Sequence, residues 1–380
     1  MSDRIIVLLP GLAAHGGIQR FNRTFCKALT AYAKQRHADI EVITLHDPPG
    51  WYDERYLRQP VTGCNGRPWQ FVRRALAALA QPHQLVIVGH VDLGPLVVPA
   101  QLLYPRARVL TLTYGIDVWR RLAWHKRVAL QRATRVWAIS NYTATRLGAE
   151  QQVAQQAIEI VPIPVDPDFV AQLAAWQAVH QQPIRTRLLS VARLQSVAER
   201  KGIDAVITAL SELRLKVPDV TYTIIGDGND RPRLEQLARQ HDVADIVTFT
   251  GRVTDEQLLT YLNGTDVFVL PSRTEGFGIV FIEAMACGKA VVAGAHGGSP
   301  EVVEDGVTGR LVPHGDQQAL ITALSDLLLD DARRSAMGNR GRMRAAGVYS
   351  YQQFSLRLAQ TLDALLEHNH ITQGRGKVRL

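Results

Sequence analysis

Cysteine is scarce in this sequence: three residues in 380, at positions 26, 64 and 287. They are odd in number, far apart and fit no metal or redox spacing, so neither a disulfide framework nor a cysteine-based metal site organises the chain. A reducing cytoplasm is the expected compartment. Long apolar runs are also missing. The one stretch long enough to suggest a membrane span, Leu85 to Tyr104, is interrupted by His90, Asp92, Gly94 and two prolines. A strand, a loop and a helix start are expected there instead. The first residues lack an apolar signal region and run directly into Ile5–Leu9, which reads as a first strand.

What is present is ordinary globular material, 46% hydrophobic and 21% charged, so nothing in the composition argues for extensive disorder. A chain of 380 residues exceeds one ordinary core and implies two domains. The net charge of +8 is unevenly spread: residues 1–165 carry 20 Lys and Arg against 10 Asp and Glu, and residues 166–380 carry 23 against 25. A basic first half fits nucleic acid, an anionic membrane surface, phosphorylated substrates or a merely solvated basic face.

Short apolar runs alternate with helical patterns throughout. In the first half the runs are Ile5–Leu9, Ile40–Leu45, Leu85–Gly89, Val109–Thr113, Val136–Ile139 and Ile158–Val165. In the second they are Leu188–Ala192, Tyr222–Ile225, Val247–Thr250, Val267–Leu270 and Ala290–Ala293. This alternation predicts α/β architecture, with two doubly wound, Rossmann-like parallel-sheet domains. The boundary is expected near Val161-Pro-Ile-Pro164, giving domains 1–165 and 166–347. A helical tail over 348–380 is expected to pack back on the first domain. Ligands of such sheets bind at the carboxyl ends of strands, and two such domains are expected to face a central cleft.

The segment Phe268-Val-Leu-Pro-Ser-Arg-Thr-Glu275-Gly-Phe-Gly-Ile-Val-Phe-Ile-Glu283-Ala-Met-Ala-Cys-Gly288 carries the clearest chemistry. A strand ends at Pro271, a Gly-rich turn follows, and a helix runs from about Ile279 to Gly288. The amides of Gly276, Phe277, Gly278 and Ile279 then lie at a helix N-terminus, where a diphosphate or sugar hydroxyls can be held. Glu275 and Glu283 can face one cleft, and a carboxylate can accept two hydroxyl hydrogen bonds, as a sugar or ribose diol requires. Upstream, Arg193 follows a strand and Lys201 precedes a helix. Preorganised cations of this kind stabilise charge developing on a departing phosphate. Read alone, two cations beside a loop are most often surface charge.

This string resembles the retaining GT-B glycosyltransferases, specifically glycosyltransferase family 4, whose hallmark is Glu, seven residues, Glu. The resemblance spans nearly the whole chain and is densest between Leu188 and Val312. It implies that Glu275 contacts the transferred sugar, that Glu283 contacts the donor ribose, and that Gly278 and Ile279 offer amides to the donor. It assigns Arg193 and Lys201 to the leaving diphosphate. Gly226 ends a strand in a turn that lets a flat base approach, and Val253 matches a position near the nucleobase. Gly16 and Gly17, after the first strand, match the donor-side glycine loop; they do not form the dinucleotide fingerprint Gly-x-Gly-x-x-Gly. One departure stands out. Where relatives carry a His that touches the sugar, this chain reads Tyr114-Gly-Ile-Asp117. Tyr114, Asp117 and His90 are therefore the candidates for sugar or acceptor contact.

The function implied is retaining transfer of a hexose from a UDP- or GDP-type nucleotide sugar to a saccharide or lipid-linked acceptor, in glycan or cell-envelope synthesis. No metal or other cofactor is expected. Segments such as Trp119-Arg-Arg-Leu-Ala-Trp124-His-Lys-Arg127 suggest peripheral contact with an anionic membrane at its cytoplasmic face. No nucleic-acid motif is evident. The alternative of the same fold is a nucleotide-sugar epimerase or a phosphorylase.

Overall fold

The structure is a computed structural model. It describes residues 3–14, 16–179, 184, 186–195 and 201–374, with side chains in the last helix described to residue 367. Residues 375–380, the end of the expected helical tail, lie outside what it describes. The chain divides into two compact units: Met1–Asp166 together with Tyr351–Leu380, and Pro167–Ser350.

The first unit is built on a parallel seven-stranded sheet, in the order β3-β2-β1-β4-β5-β6-β7. Its strands are β1 (Arg4–Leu9), β2 (Asp39–Thr44), β3 (Thr62–Gly63), β4 (Leu85–Val88), β5 (Arg108–Thr113), β6 (Arg135–Ala138) and β7 (Ile158–Ile160). The helices between them are α1 (Gly17–Arg36), α2 (Pro68–Leu79), α3 (Val97–Leu103), α4 (Trp124–Arg132) and α5 (Asn141–Gln151). Ile5 through Leu9 and Leu85 through Val88 are wholly buried. Helices cover both faces of the sheet, so its strands read as continuous apolar runs rather than alternating ones. The two runs pair in register, Ile5 against Leu85.

The second unit holds a parallel six-stranded sheet in the order β10-β9-β8-β11-β12-β13. Its elements run from α6 (Pro167–Ala178) through β8 (Thr186–Val191), α7 (Ile203–Lys216), β9 (Tyr222–Ile225), α8 (Arg231–Gln240) and β10 (Val247–Gly251). They continue with α9 (Asp255–Gly264), β11 (Thr265–Leu270), α10 (Ile279–Ala286), β12 (Ala290–Gly294), α11 (Ser299–Val302), β13 (Gly309–Val312), α12 (Gln317–Leu329) and α13 (Asp331–Val348). Ser190 stitches three central strands: its hydroxyl lies 2.7 Å from Tyr222 Oη and bonds the carbonyl of Val269.

The last helix, α14 (Tyr351–Gly374), belongs to the first unit. Tyr32 Oη donates to Asp363 Oδ1 at 2.7 Å, and Thr361 Oγ1 donates to Glu159 Oε1 at 2.7 Å. Phe354 stands edge-on to Phe21 and Trp137, with ring centres 5.7 and 6.0 Å apart. Among the described residues, no helix is long and apolar enough to cross a membrane. The stretch 85–104 is β4, a 3₁₀ turn over Val91–Leu96, and α3.

Candidate active site

Both sheets reverse their winding once, between β1 and β4 in the first and between β8 and β11 in the second. The carboxyl ends flanking such a reversal form a crevice that connecting loops cannot fill. Arg193 follows β8 and Glu275 follows β11, so the second unit's principal candidates flank its reversal. In the first unit the loop carrying Gly16 follows β1, and His90 follows β4.

In the second unit Lys201 Nζ lies 3.2 Å from Glu275 Oε2, with the side chains 18% and 15% exposed. Gly202 makes this approach possible. It has φ +76°, and a Cβ there would lie 2.5 Å from the carbonyl oxygen of Pro271. Only glycine fits so close to the end of β11 in that backbone conformation. Arg193 and Lys201 line one cavity of about 340 Å³ together with Asp204, Asp230 and Arg233. Asp230 is nearly buried, and its carboxylate takes two hydrogen bonds from Arg233, each 2.7 Å long. That pairing raises the Arg233 pKa further, so the guanidinium stays charged. Asp230 and Arg233 were not site candidates from the sequence; they pair at the start of α8.

Gly278 caps α10 with φ +96° and no side-chain bond, so the first amides of this helix point out from its N-terminus. The turn before it is braced by the loop after β12, where Gly298 N donates to the Glu275 carbonyl at 2.8 Å. Glu283, in the second turn of α10, is buried at 3% exposure. The Phe277 side chain is buried and stands edge-on to Tyr349, 5.5 Å away, so it is a core contact and only its backbone remains for a ligand. Gly226 answers a need of the sheet itself: at φ +135°, a Cβ there would lie 1.8 Å from the carbonyl oxygen of Ala192. Val253 follows β10 and is half-buried.

In the first unit Gly17 opens α1 and Gly16 precedes it in extended backbone. The preceding turn is held by Asp47, a buried carboxylate that accepts hydrogen bonds from Leu12 N at 2.8 Å and Ala13 N at 2.9 Å. No sequence signal reveals Asp47, because the contact joins residues 35 apart. Tyr114 and Asp117 turn inward. Tyr114 Oη lies 2.8 Å from Asn22 Oδ1 and 2.9 Å from the Gly89 carbonyl oxygen, and burial pushes its pKa well up. Asp117 accepts from Tyr114 N at 3.0 Å, and burial lifts its pKa to about 7. Both residues are half-buried. His90 remains, its ring stacked on Tyr114 at 6.2 Å.

Comparison with known proteins identifies the family and the fold. Residues 178–344 match the family described as glycosyl transferases group 1, and residues 15–169 match glycosyltransferase family 4. The GDP-mannose-dependent alpha-(1-6)-phosphatidylinositol monomannoside mannosyltransferase of Mycolicibacterium smegmatis is 33% identical, covering 93% of this chain and 96% of its own. The amylovoran biosynthesis glycosyltransferase AmsK of Erwinia amylovora is 33% identical over 60% of this chain and 56% of its own. In fold, the chain is similar to sucrose-phosphate synthase from Thermosynechococcus elongatus, with TM-score 0.77, 23% identity, and coverage of 96% of this chain and 100% of that one. It is also similar to Anabaena HepE in complex with UDP, with TM-score 0.71, 20% identity, and coverage of 95% and 100%. The two α/β units are therefore a GT-B fold, and the chain belongs to the group 1 glycosyltransferases, glycosyltransferase family 4.

Proposed function

We propose that this glycosyltransferase moves a mannosyl or related hexosyl group from a nucleoside diphosphate to a lipid-linked or saccharide acceptor, with retention of anomeric configuration. GDP-mannose is the first donor to test, because relatives 33% and 32% identical over more than nine-tenths of this chain carry it in their names. The observation that carries the reading is the contact of Lys201 with Glu275 beside Arg193. It supports the reading by fixing a cation next to the carboxylate proposed to hold the sugar.

Arg193 and Lys201 neutralise the departing diphosphate, so the reaction needs no bound metal ion. Glu275 holds sugar hydroxyls and Glu283 the ribose. The amides from Gly276 to Ile279 meet the donor, and Val253, near the turn at Gly226, meets the base. Gly16 and Gly17 offer the first unit's amides to the diphosphate. The acceptor hydroxyl attacks on the face from which the diphosphate leaves, and a phosphate oxygen takes its proton.

Contact with an anionic membrane surface is part of the same proposal. Residues 64–149 carry 12 Lys and Arg against two Asp and Glu, the basic excess of the whole first half. Trp69 and Trp124 are 64% and 75% exposed within that segment, and Arg73, Arg74, Arg120 and Arg121 are exposed beside them. Indole rings with arginines suit a headgroup layer.

The test is a thermal-shift panel of GDP, UDP, ADP and dTDP sugars, followed by nucleotide release with and without phosphatidylinositol monomannoside in anionic vesicles and with EDTA. Stabilisation by GDP-mannose and acceptor-dependent, EDTA-insensitive release are expected. No stabilisation by any nucleotide sugar would defeat the reading, and product lacking a new glycosidic bond would favour the epimerase alternative.

A further inference from the structure

Arg193 is exposed and carries a long side chain with many rotamers, so its aim starts from how its backbone is held. Both neighbouring peptides are pinned from the end of β9 and the loop that follows it. Ala192 N donates to the Ile225 carbonyl at 3.0 Å, and Leu194 N donates to the Asp227 carbonyl at 3.1 Å. The Leu194 carbonyl in turn accepts from Asp230 N at 2.9 Å.

Two glycines make room for these contacts, one on each side of Arg193. A Cβ at Gly226 would lie 1.8 Å from the Ala192 carbonyl oxygen, and one at Gly228 would lie 2.0 Å from the Leu194 carbonyl oxygen. Gly228 does not have the left-handed φ of Gly226, so what excludes a side chain there is the close approach of the Leu194 backbone.

Asp230 anchors the far end of the loop. Its amide meets Leu194, and its carbonyl accepts from Leu234 N at 3.1 Å in the first turn of α8. Its carboxylate is gripped by Arg233 at two points, Nε to Oδ1 and Nη2 to Oδ2. Paired bonds between a planar guanidinium and a carboxylate fix orientation as well as distance. The pair therefore sets where α8 begins and, through the Asp230 amide, where Leu194 and the residue before it lie.

We propose that the segment from Gly226 to Arg233 is the frame that aims Arg193, with Gly228 and Asp230 as positioning residues that act through it on the departing diphosphate. The inference rests on the role given to Arg193 above. It gives the Gly226-Asp-Gly228 turn a task in the transfer step itself, separate from any approach of the base.

A double-mutant cycle tests it. Asp230→Ala breaks the pair with Arg233 and Asp230→Asn keeps one acceptor for it; each is made in the wild type and in Arg193→Ala. Turnover with GDP-mannose and phosphatidylinositol monomannoside is read on protein shown by its melting curve to be folded. A misplacement of about 1 Å can cost a reaction on the order of 10²-fold, so partial loosening by Asp230→Ala should lower kcat on the order of tenfold. Asp230→Asn should recover part of that loss. In the Arg193→Ala background, Asp230→Ala should cost less than about twofold more, because the group it positions is gone. A loss of stability alone would lower both backgrounds alike. Should Asp230→Ala not fold, Arg233→Gln enters the same cycle, releasing the carboxylate from the half-exposed side of the pair. Wild-type kcat in the pair-breaking variant, or losses that multiply in the double variant, would overturn the inference alone. A near-normal Arg193→Ala enzyme, or a wild type that transfers from none of the nucleotide sugars, would overturn the reading it rests on, and this inference with it.

Discussion

Lys201 Nζ and Glu275 Oε2 lie 3.2 Å apart, joining the start of α7 to the turn after β11 across 74 residues of sequence. Each side chain holds the other in place before a ligand arrives. Lys201→Ala and Arg193→Ala should therefore each lower turnover on the order of 10²–10³-fold, as loss of one preorganised donor to a developing anion does. Near-normal turnover in both variants removes them from the mechanism.

Because the two side chains touch, their losses should not multiply. The double variant Lys201→Ala with Glu275→Gln should lose less activity than the product of the single losses, and a fully multiplicative result would mean that the contact plays no part in transfer.

Glu283→Gln tests the ribose assignment. A buried carboxylate that holds a diol should show its loss chiefly as weaker donor binding, on the order of tenfold by calorimetry with GDP-mannose. Unchanged affinity, at a melting temperature close to wild type, would contradict the role.

Asp117 ties stability to pH. Burial disfavours the anion and lifts its carboxyl from the ordinary 3.8 to about 7 in the folded protein. Between those values the folded chain holds a proton that the unfolded chain has released, so stability falls as pH rises through the window. Asp117→Asn should flatten this slope, melting several degrees above wild type at pH 8 and close to it at pH 4.5. Parallel curves for the two proteins would refute the assignment.

Gly226→Ala should destabilise strongly, by roughly 3 kcal/mol or more, since the added Cβ meets the Ala192 carbonyl in a strained backbone region. Gly306→Ala is the control: its φ is +72° but nothing lies within 4 Å, so about 1 kcal/mol is expected. Equal melting temperatures for the two would show that the sheet relaxes around position 226.

The central strands were legible because sheets covered on both faces demand unbroken apolar runs, as in Ile5–Leu9 and Val267–Leu270. Thr62–Gly63 and Gly309–Val312 were not, since an edge strand of two to four residues with exposed or polar members carries no such run. In the site, the spacing of Glu275 and Glu283 and the place of Lys201 before a helix were visible as local patterns. The inward turn of Tyr114 was invisible, because it depends on Asn22, 92 residues earlier in the chain. The clasp of Asp47 on the loop before Gly16 failed to appear for the same reason.

The return of α14 to the first unit has a bearing on how the protein is made. A ribosome releases Phe21, Phe25 and Trp137 early, but Phe354, which covers two of them, follows only after Pro167–Ser350 has been synthesised. At roughly 5–20 residues per second, that interval is on the order of ten seconds or more. Through it the nascent first unit must keep an aromatic face uncovered while the second completes itself, so the earlier-born unit is the later one to finish, and a message cut short before codon 351 would yield a product whose first half never closes.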